Sequence, residues 1–380
     1  GSSRSAQPLA ATCRLGEIAL AHNGNLVNAE SLREMLTDEG VIFHTTTDSE
    51  SILNLICQHG TRGIESGIKN AMSLIKGAYV LVITIGDKLI GVRDFYGLHP
   101  LCLGKLADDS GYVLASETCA LETINAKFIR DVLPGEVVTI LPNGEIKSDM
   151  TLAIEHDKTA RCVFEFIYFC RPDTTFDGMS VTKSRIIAGK LLAKAHPVDA
   201  DLVVGVPESG NMAAVGYSMA SGIPYGIAFT KNTYVGRTFI KPKQSTRVQS
   251  VKVKLSVLRD VVEGKRIVMI DDSIVRGTTS NQIVNMLRDA GAKEVHMRVS
   301  SPPFYHPCYF GIDIPSEDQL IAHGRTVEEI CKHIGADSLG YLPLECLKEM
   351  AGGLPICDAC FSGNYPIAPP VEDIRGEFDK

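Results

Sequence analysis

Two adjacent carboxylates, Asp271 and Asp272, follow an apolar run inside the segment RIVMIDDSIVRGTTS, residues 266–280. Paired carboxylates suit the hydroxyl groups of a ribose or a Mg²⁺ ion bound to a sugar phosphate. A helix should begin just after them, and backbone N–H groups at a helix N-terminus bind phosphate without needing a lysine. The candidate phosphate-binding residues are Ser273, Gly277, Thr278 and Thr279. We therefore expect a site for a phosphorylated sugar in this segment.

The same Asp-Asp pair also has a purely structural interpretation, because acids after a strand often cap the following helix. The complete 15-residue pattern favours a binding site over a cap. The sequence contains neither a Walker pattern, GxxxxGK[ST], nor a GxGxxG motif. Nucleotide hydrolysis and dinucleotide redox chemistry are therefore disfavoured.

A second loop, Val206–Asn211 (VPESGN), leaves an apolar strand and enters a helix. Gly210 would allow the backbone to approach an anion closely, with Glu208 and Ser209 beside it. An ordinary strand-to-helix turn has the same pattern and is the simpler interpretation of this loop alone.

The stretch Lys231–Lys254 carries basic residues and no acid, although the whole chain has a net charge of −7. Its basic residues are Lys231, Arg237, Lys241, Lys243, Arg247, Lys252 and Lys254. A solvated surface loop or a nucleic-acid contact would explain the charge alone. Tyr234 and Gly236 inside the stretch favour a mobile lid, which brings cations to a polyanionic leaving group only when the substrate is bound.

The elements around these loops predict two kinds of architecture. From about residue 180, apolar strands alternate with helices, and this alternation predicts a parallel sheet with right-handed crossovers. Ligands bind at the carboxyl ends of such strands, where both loops lie. The first 150 residues are instead dominated by short strands and turns, including the turn Pro142-Asn143-Gly144. The Gly- and Pro-rich end of the chain predicts a loosely built tail.

Composition limits the class of protein further. Hydrophobic residues make up 44% of the 380 residues and charged residues 22%, as in soluble globular chains. The net negative charge disfavours general nucleic-acid or membrane binding, and no apolar run is long enough to span a bilayer. The 11 cysteines are odd in number and lie mostly in apolar runs, so a secreted disulfide framework is not expected. We expect a soluble, cytoplasmic α/β enzyme.

Six motifs, in this order and spacing, resemble the glutamine phosphoribosylpyrophosphate (PRPP) amidotransferase family, in particular its iron–sulfur branch. They are HNGNLVN (22–28), TTTDSE (45–50), VLPGEVV (132–138), YFCRPD (168–173), KNTYVGRTFI (231–240) and IDDSIVRG (270–277). The resemblance implies the first committed step of purine synthesis. Ammonia released from glutamine displaces pyrophosphate from PRPP and gives 5-phosphoribosylamine.

The resemblance also implies a mixed α/β and α+β fold with three parts. Residues 1–155 would form a glutaminase domain of the N-terminal-nucleophile hydrolase type, with antiparallel sheets and helices. Residues 156–350 would form a type I phosphoribosyltransferase domain with a parallel sheet, and residues 351–380 a tail with a CxxC motif. Family members are usually homotetramers or homodimers, and purine nucleotides inhibit them.

Site residues follow from the resemblance one position at a time. Asn23 and Gly24 match the oxyanion hole of the glutaminase, although an isolated Asn-Gly pair would otherwise predict a hairpin turn. Asp48 matches the carboxylate that holds glutamine, and its alternative is a helix N-terminal acid. In the transferase, the residues that match the flexible loop are Lys231, Tyr234 and Arg237, and those that match the pyrophosphate loop are Glu208, Ser209 and Gly210. The matches for the Mg²⁺ ligands are Ser209, Asp271 and Asp272. The match for the 5-phosphate loop is Ser273–Thr279.

Four cysteines match the ligands of a [4Fe–4S] cluster in one branch of the family: Cys162, Cys308, Cys357 and Cys360. Alone, the CxxC at Cys357–Cys360 more often indicates zinc or redox chemistry. Zinc is therefore the alternative occupant of this set. A cluster here would tie the tail to the transferase domain and would be structural rather than catalytic.

The sequence departs from the family in several places. Family glutaminases use an N-terminal Cys as nucleophile, whereas residue 1 here is Gly and residues 1–9 resemble an interior segment of the domain. We therefore expect that preceding residues are missing and that the chain as given does not hydrolyse glutamine. Thr233 and His99 stand where Arg is common, and Cys170 stands where Ala is common. A non-catalytic PRPP-binding regulator is the alternative function, and the basic stretch at 231–254 argues against it.

Overall fold

The computed structural model describes residues 5–232, 255–312 and 316–370. In the N-terminal half, up to residue 155, the strands and helices are β1 (Leu9–Cys13), β2 (Gly16–Leu26), α1 (Ala29–Asp38), α2 (Asp48–His59), α3 (Ile64–Leu74), β3 (Gly77–Ile85), β4 (Lys88–Arg93), β5 (Cys102–Leu106), β6 (Tyr112–Ala115), α4 (Thr118–Thr123), β7 (Ala126–Asp131), β8 (Val137–Ile140) and β9 (Ile146–Asp149). Short 3₁₀ turns lie at Gly60–Arg62 and Ala153–Glu155.

In the C-terminal half, from residue 156, the elements are β10 (Arg161–Cys162), a π-helical turn (Glu165–Phe169), β11 (Thr175–Phe176), β12 (Met179–Ser180), α5 (Val181–Ala195), β13 (Leu202–Gly205), α6 (Ser209–Ser221), β14 (Phe229–Lys231), β15 (Leu255–Val257), α7 (Arg259–Val262), β16 (Arg266–Asp271), α8 (Thr278–Asp289), β17 (Glu294–Val299), α9 (Val327–Ile334), β18 (Ser338–Tyr341), α10 (Leu347–Met350), β19 (Ile356–Cys357) and α11 (Ala359–Ser362). Further 3₁₀ turns lie at Glu317–Gln319 and Leu344–Cys346.

The N-terminal half contains an antiparallel six-stranded sheet in the order β1-β2-β3-β4-β8-β9. Its central strand β3 is apolar on both faces because both faces are covered. Leu81 packs with the core formed against α1, α2 and α3, whereas Val80 packs on the other side with Leu101 and Val132, beside the small sheet β6-β5-β7. Because successive side chains of β3 point to opposite faces of the sheet, this strand contributes residues to two hydrophobic cores.

The C-terminal half is built on a parallel four-stranded sheet in the order β13-β16-β17-β18. Neighbouring residues of β16 again face opposite cores. Val268 packs with residues of α5 and α6, and Ile267 packs with residues of α8 and α9. Burial on both faces explains why β13 and β16 are almost wholly apolar. The predicted parallel sheet is confirmed.

α1 and α2 begin directly after Asn28 and Thr47, residue types that often cap helices, but neither side chain caps its helix. The Asn28 side chain instead donates to the Leu74 carbonyl at 2.9 Å and accepts from Lys76 N at 2.8 Å. The pair Asn23-Gly24 lies inside β2, which runs to Leu26, so the hairpin alternative is wrong.

The prediction of a loosely built tail is also wrong for the part of it that the structure describes. β19 pairs in parallel with β10, and Phe361 of α11 is buried against Phe304, with ring centroids 4.8 Å apart. Gly and Pro residues there make turns within a packed segment.

Among the helices of the described ranges, none is long and apolar enough to cross a membrane.

Candidate functional site

The paired carboxylates lie at the carboxyl end of the parallel sheet, as predicted. Asp271 is the last residue of β16, Asp272 follows it, and α8 begins at Thr278. Gly277 precedes the helix with a φ of 76°, and a Cβ there would lie 2.3 Å from the Ile321 side chain. The positive φ favours glycine at this turn, which precedes the first N–H groups of α8, where an anion can bind.

Asp271 and Asp272 are both buried. The hydroxyls of Ser209 and Ser273 donate hydrogen bonds to the Asp272 carboxylate, and Asp271 accepts one from the Asp272 amide at 3.0 Å. Burial raises the pKa of both carboxyls, and the charge of Asp272 raises the pKa of Asp271 further. Two buried acids held together in this way would ionise more readily beside a cation.

The loop at 206–211 lies against the same carboxylates. β13 ends at Gly205 and α6 begins at Ser209, after a cis peptide bond between Pro207 and Glu208. A Cβ on Gly210 would lie 2.4 Å from the Ile270 carbonyl oxygen, so only glycine fits there. The structure thus brings Glu208, Ser209 and Gly210 to the end of β16, as the sequence predicted.

Lys231, the last residue of β14, lies close to this loop. Its ammonium group forms an ion pair with the Glu208 carboxylate at 2.8 Å. The two other residues predicted for the flexible loop, Tyr234 and Arg237, lie outside the described residues, together with the basic residues from 241 to 254.

The N-terminal half brings together the residues predicted to hold glutamine. Asn23 and Gly24 lie in β2, where a Cβ on Gly24 would be only 2.1 Å from the Ala78 carbonyl oxygen. Asp48 begins α2 and accepts a hydrogen bond from Leu26 N, at the end of the same strand, at 3.0 Å. Asp48 therefore lies at the C-terminal end of the strand that carries Asn23 and Gly24.

Sequence reasoning missed His22, which supports Asp48. Its Nδ1 atom lies 3.5 Å from Asp48 Oδ1 and 3.1 Å from the Ser49 hydroxyl. Burial opposes ionisation of Asp48, but the bonds from His22 and from Leu26 N outweigh it, and the pKa of Asp48 is lowered. In the sequence, the feature that could have identified His22 as a site residue is its position directly before Asn23.

The four predicted cysteines line one cavity, hereafter the thiol cavity, defined by Cys162, Cys308, Cys357 and Cys360. Pairing of β10 with β19 places Cys162 opposite Cys357. The amide of Phe310 donates to Cys308 Sγ at 3.4 Å. The four cysteines that the family resemblance groups thus line one cavity, although they come from three separate segments.

Four thiols are a donor set that suits either an iron–sulfur cluster or a zinc ion. A single zinc ion needs its donors at roughly 2.3 Å, all around one point. Within residues 5–232, 255–312 and 316–370, no three His, Cys, Asp or Glu side chains are close enough to hold one ion. A cubane cluster distributes its thiolates over separate irons, so the thiols lie farther apart.

Comparisons with known proteins agree with this geometry. The glutamine amidotransferase domain family matches residues 1–123. Amidophosphoribosyltransferase of Synechocystis is 52% identical, covering 96% of this chain and 74% of its own. That of Methanocaldococcus jannaschii is 47% identical, covering 97% and 81%.

Among solved structures, the glutamine PRPP amidotransferase of B. subtilis, complexed with ADP and GMP, superimposes with a TM-score of 0.89 at 46% identity. The match covers 98% of this chain and 82% of that one. Agreement therefore extends through both halves and both loops, and the chain belongs to the amidophosphoribosyltransferase family, which catalyses the first step of purine synthesis.

Proposed function

We propose that the residues at the carboxyl end of the parallel sheet bind PRPP for attack by ammonia. The observation that carries the proposal is the pair Asp271 and Asp272, buried beside Ser209 and followed by the N-terminus of α8. In the reaction, the nitrogen of ammonia bonds to C1 of PRPP while the bond from C1 to pyrophosphate breaks. The nitrogen then loses a proton to give 5-phosphoribosylamine.

Each part of this site would hold a different part of the substrate. The amides and hydroxyls of residues 273–279 would bind the 5-phosphate at the start of α8. Asp271 and Asp272 would accept hydrogen bonds from the ribose hydroxyls. The backbone of Glu208, Ser209 and Gly210 would approach the pyrophosphate, since Gly210 packs directly against β16.

The oxygen donors of Ser209, Asp271 and Asp272 fit Mg²⁺, which usually takes one or two carboxylates together with substrate phosphates. Bound there, Mg²⁺ would neutralise charge on the departing pyrophosphate. The raised pKa values of both carboxyls support this assignment, because a nearby cation would stabilise their ionised forms.

We propose that Asn23 and Gly24 supply the oxyanion hole for glutamine hydrolysis and that Asp48 binds the α-ammonium group of glutamine. Asp48 is well suited to this role, because its lowered pKa keeps it ionised at neutral pH. The orientation of β2 against β3 depends on Gly24, which no larger residue could replace without moving Ala78.

Lys231, with Tyr234 and Arg237, would form the cationic loop that closes over pyrophosphate. The ion pair between Lys231 and Glu208 supports the proposal, because it places a cation beside the pyrophosphate loop. Pyrophosphate binding would compete with Glu208 for this cation, and Lys231 could then stabilise the leaving group.

We propose that the thiol cavity holds a [4Fe–4S] cluster with a structural role. Cys162, Cys308 and Cys360 are buried, and burial raises the pKa of Cys357 to about 12. Thiols in this environment ionise only beside a strong cation, which the iron of a cluster would supply. Because Cys360 belongs to the tail and Cys162 to β10, the cluster would join these segments.

The remaining proposals concern partners and location. The B. subtilis relative was solved in complex with ADP and GMP, and we propose that purine nucleotides bind and inhibit this enzyme. We also propose that it is a cytoplasmic homotetramer or homodimer. The alternative of a non-catalytic regulator gains no support from the relatives described above.

The first experiment measures PRPP- and Mg²⁺-dependent pyrophosphate release with ammonium and with glutamine as alternative donors. Release with ammonium tests the transferase site alone, and release with glutamine tests both sites. A folded protein that binds PRPP but releases no pyrophosphate with either donor would contradict the proposal and favour the regulator.

A further inference from the structure

Cys13 and Cys57 form a pair of thiols outside the thiol cavity and outside both candidate sites. Cys13 is the last residue of β1, and Cys57 lies in the last turn of α2. A hydrogen bond joins the two thiols to each other. Both cysteines are reduced, and both are only half-buried, so a dissolved reagent can reach them. The pair therefore combines contact with access, which disulfide formation requires.

Packing of the β1–β2 turn against the end of α2 keeps these thiols together. β1 and β2 are joined by a turn of only two residues, the second of which is Leu15. Leu15 packs on Gly60, the residue after α2, so closely that a Cβ on Gly60 would lie 2.4 Å from Leu15 Cδ1. Cys13, Leu15 and Cys57 also pack against the same hydrophobic core. The end of β1 is thus held beside the last turn of the helix.

Other cysteines outside the thiol cavity contrast with this pair. Cys102, Cys119 and Cys170 are buried, and burial keeps a dissolved oxidant away from them. Cys331 is half-buried, but its thiol donates to the Ala336 carbonyl at 3.3 Å rather than to another cysteine. Burial and thiol contact therefore single out Cys13 and Cys57.

We propose that Cys13 and Cys57 form a reversible disulfide when the protein meets a small-molecule disulfide such as oxidised glutathione. An S–S bond is about 2 Å long, so the two sulfur atoms must move closer together than they lie in a hydrogen bond. Side-chain rotation supplies this movement, because Cys13 ends an edge strand and Cys57 lies near the end of a helix. The inference uses neither the PRPP site nor the glutamine site.

The reaction consists of two thiol–disulfide exchanges. In the first, one cysteine loses its proton and attacks glutathione disulfide, so that a bond from the protein to glutathione forms while the S–S bond of the oxidant breaks. In the second, the other cysteine loses its proton and attacks the protein sulfur of this mixed disulfide, which releases the remaining glutathione. The two protons pass to the two glutathione thiolates, and the two electrons lost by the protein thiols reduce the oxidant.

Cys13 should react first. It ends the strand next to Arg14, which is exposed, whereas Cys57 belongs to a helix packed on the sheet. Burial, together with the neighbouring Cys13 thiol, raises the pKa of Cys57 to about 12, so Cys57 stays protonated near neutral pH. Attachment of glutathione to Cys13 removes part of the cause of this shift. The second exchange then occurs between groups that are already in contact.

The disulfide would enclose the residues proposed to hold glutamine. Asn23, Gly24 and Asp48 all lie between the two cysteines in the chain. A covalent bond at one end of α2 would fix this helix against the β1–β2 hairpin. Because a cross-link makes the enclosed segment harder to unfold, amide hydrogens of α2 should exchange with solvent at least about tenfold more slowly in the oxidised protein.

The test treats the reduced full chain with oxidised glutathione at mildly alkaline pH, alkylates the remaining free thiols and identifies the peptides by mass spectrometry. The expected product is a peptide pair in which Cys13 is linked to Cys57. Dithiothreitol should return both thiols to their reduced form. Hydrogen exchange in α2 should slow on oxidation and recover on reduction.

Two variants and one internal control make the result specific. C57S should retain glutathione on Cys13, because its partner thiol is gone, whereas C13S should leave Cys57 largely free. Cys331, which is equally half-buried, should gain glutathione at most and should not be linked to either residue of the pair.

Recovery of both Cys13 and Cys57 in alkylated form from the treated wild type would overturn the inference. So would a product in which each of the two carries its own glutathione, because that product shows that the thiols cannot approach. Unchanged exchange in the linked protein would refute the fixing of α2. Pyrophosphate release is not used as a readout, so none of these failures affects the proposed PRPP site.

Discussion

Arg93 and Asp177 form a two-pronged ion pair that joins the two halves of the chain. Nη1 lies 2.9 Å from Oδ1, and Nη2 lies 3.0 Å from Oδ2. Arg93 is fully buried, and its other donors bond to the carbonyls of Gly97, His99 and Val132. All five donors of the guanidinium are therefore satisfied, which only arginine can achieve.

Replacing Arg93 by Lys should destabilise the protein although the charge is kept. Lysine cannot reach three carbonyls and both carboxylate oxygens, so buried acceptors would remain unpaired. We expect the free energy of unfolding to fall by about 3 kcal/mol, as when a buried pair is broken. Urea denaturation measures the change. The exposed pair of Lys88 and Glu65 offers a control, because K88A should cost at most about 0.5 kcal/mol. Equal losses in both variants would contradict the prediction.

A second acid, Asp131, lies near this ion pair and should make stability depend on pH. Burial and the charge of Asp177 raise the pKa of Asp131 to about 6, only partly offset by Arg93 and Arg161. The folded state therefore binds the proton more tightly than the unfolded state. The contribution of Asp131 to stability should fall as pH rises from about 4 to about 6 and then level off, by at most about 3 kcal/mol.

Asp131→Asn should remove this dependence. The variant should be more stable than wild type at pH 7, by about 1 to 2 kcal/mol after allowance for solvent screening. The two proteins should differ little at pH 4, where Asp131 is protonated in the folded state and about half protonated in the unfolded state. The measurement is the difference between their urea-unfolding free energies at pH 4, 5, 6 and 7. A difference that stayed constant across this range would refute the shifted pKa.

A comparison of particular residues shows how much of the fold and of the candidate site could be predicted from the sequence. The strand ending at Asp271 was predictable, because an apolar run followed by acids and small residues is a local signal. The roles of Asn23 and Gly24 were not evident from local pattern, since an Asn-Gly pair usually forms a turn; the family resemblance identified them as site residues.

Contacts between distant segments were not predictable from local chemistry. Asp177 lies in a short hairpin turn, and nothing in its neighbourhood indicates that Arg93 is its partner. The same holds for His99 and Glu165, whose contact depends on how the two halves pack. The resemblance grouped Cys162 with Cys357, but their parallel strand pairing became visible only in the fold.

Gly24→Ala should be far more damaging than Gly16→Ala, although both glycines lie in β2 with positive φ, 140° and 110° respectively. A Cβ at position 24 would meet the Ala78 carbonyl at 2.1 Å, whereas position 16 has nothing within 4 Å. We expect G16A to cost about 1 kcal/mol from backbone strain and G24A at least about 3 kcal/mol. Urea denaturation compares them, and equal costs would show that β2 can move away from β3.

Cys357→Ser should abolish iron incorporation, because a serine hydroxyl is a poor ligand for the cluster proposed in the thiol cavity. Iron content and visible absorption of protein purified without oxygen measure the change. Cys331→Ser is the matched control, since Cys331 is half-buried and its thiol bonds to the Ala336 carbonyl, away from the cavity. Full iron in C357S would refute the ligand assignment, and zinc in the wild type would restore the alternative metal.

Asp271→Asn should lower pyrophosphate release at least about 100-fold, and equally with ammonium and glutamine, because ammonia from either source attacks the same bound PRPP. Asn keeps the size of the side chain but loses the charge needed for Mg²⁺ and for strong bonds to the ribose. Asp199→Asn is the control: Asp199 pairs with Arg266 at the start of the same strand, is largely exposed, and should leave activity unchanged. An activity loss confined to glutamine would place the defect in ammonia supply and contradict the role of Asp271 in PRPP binding.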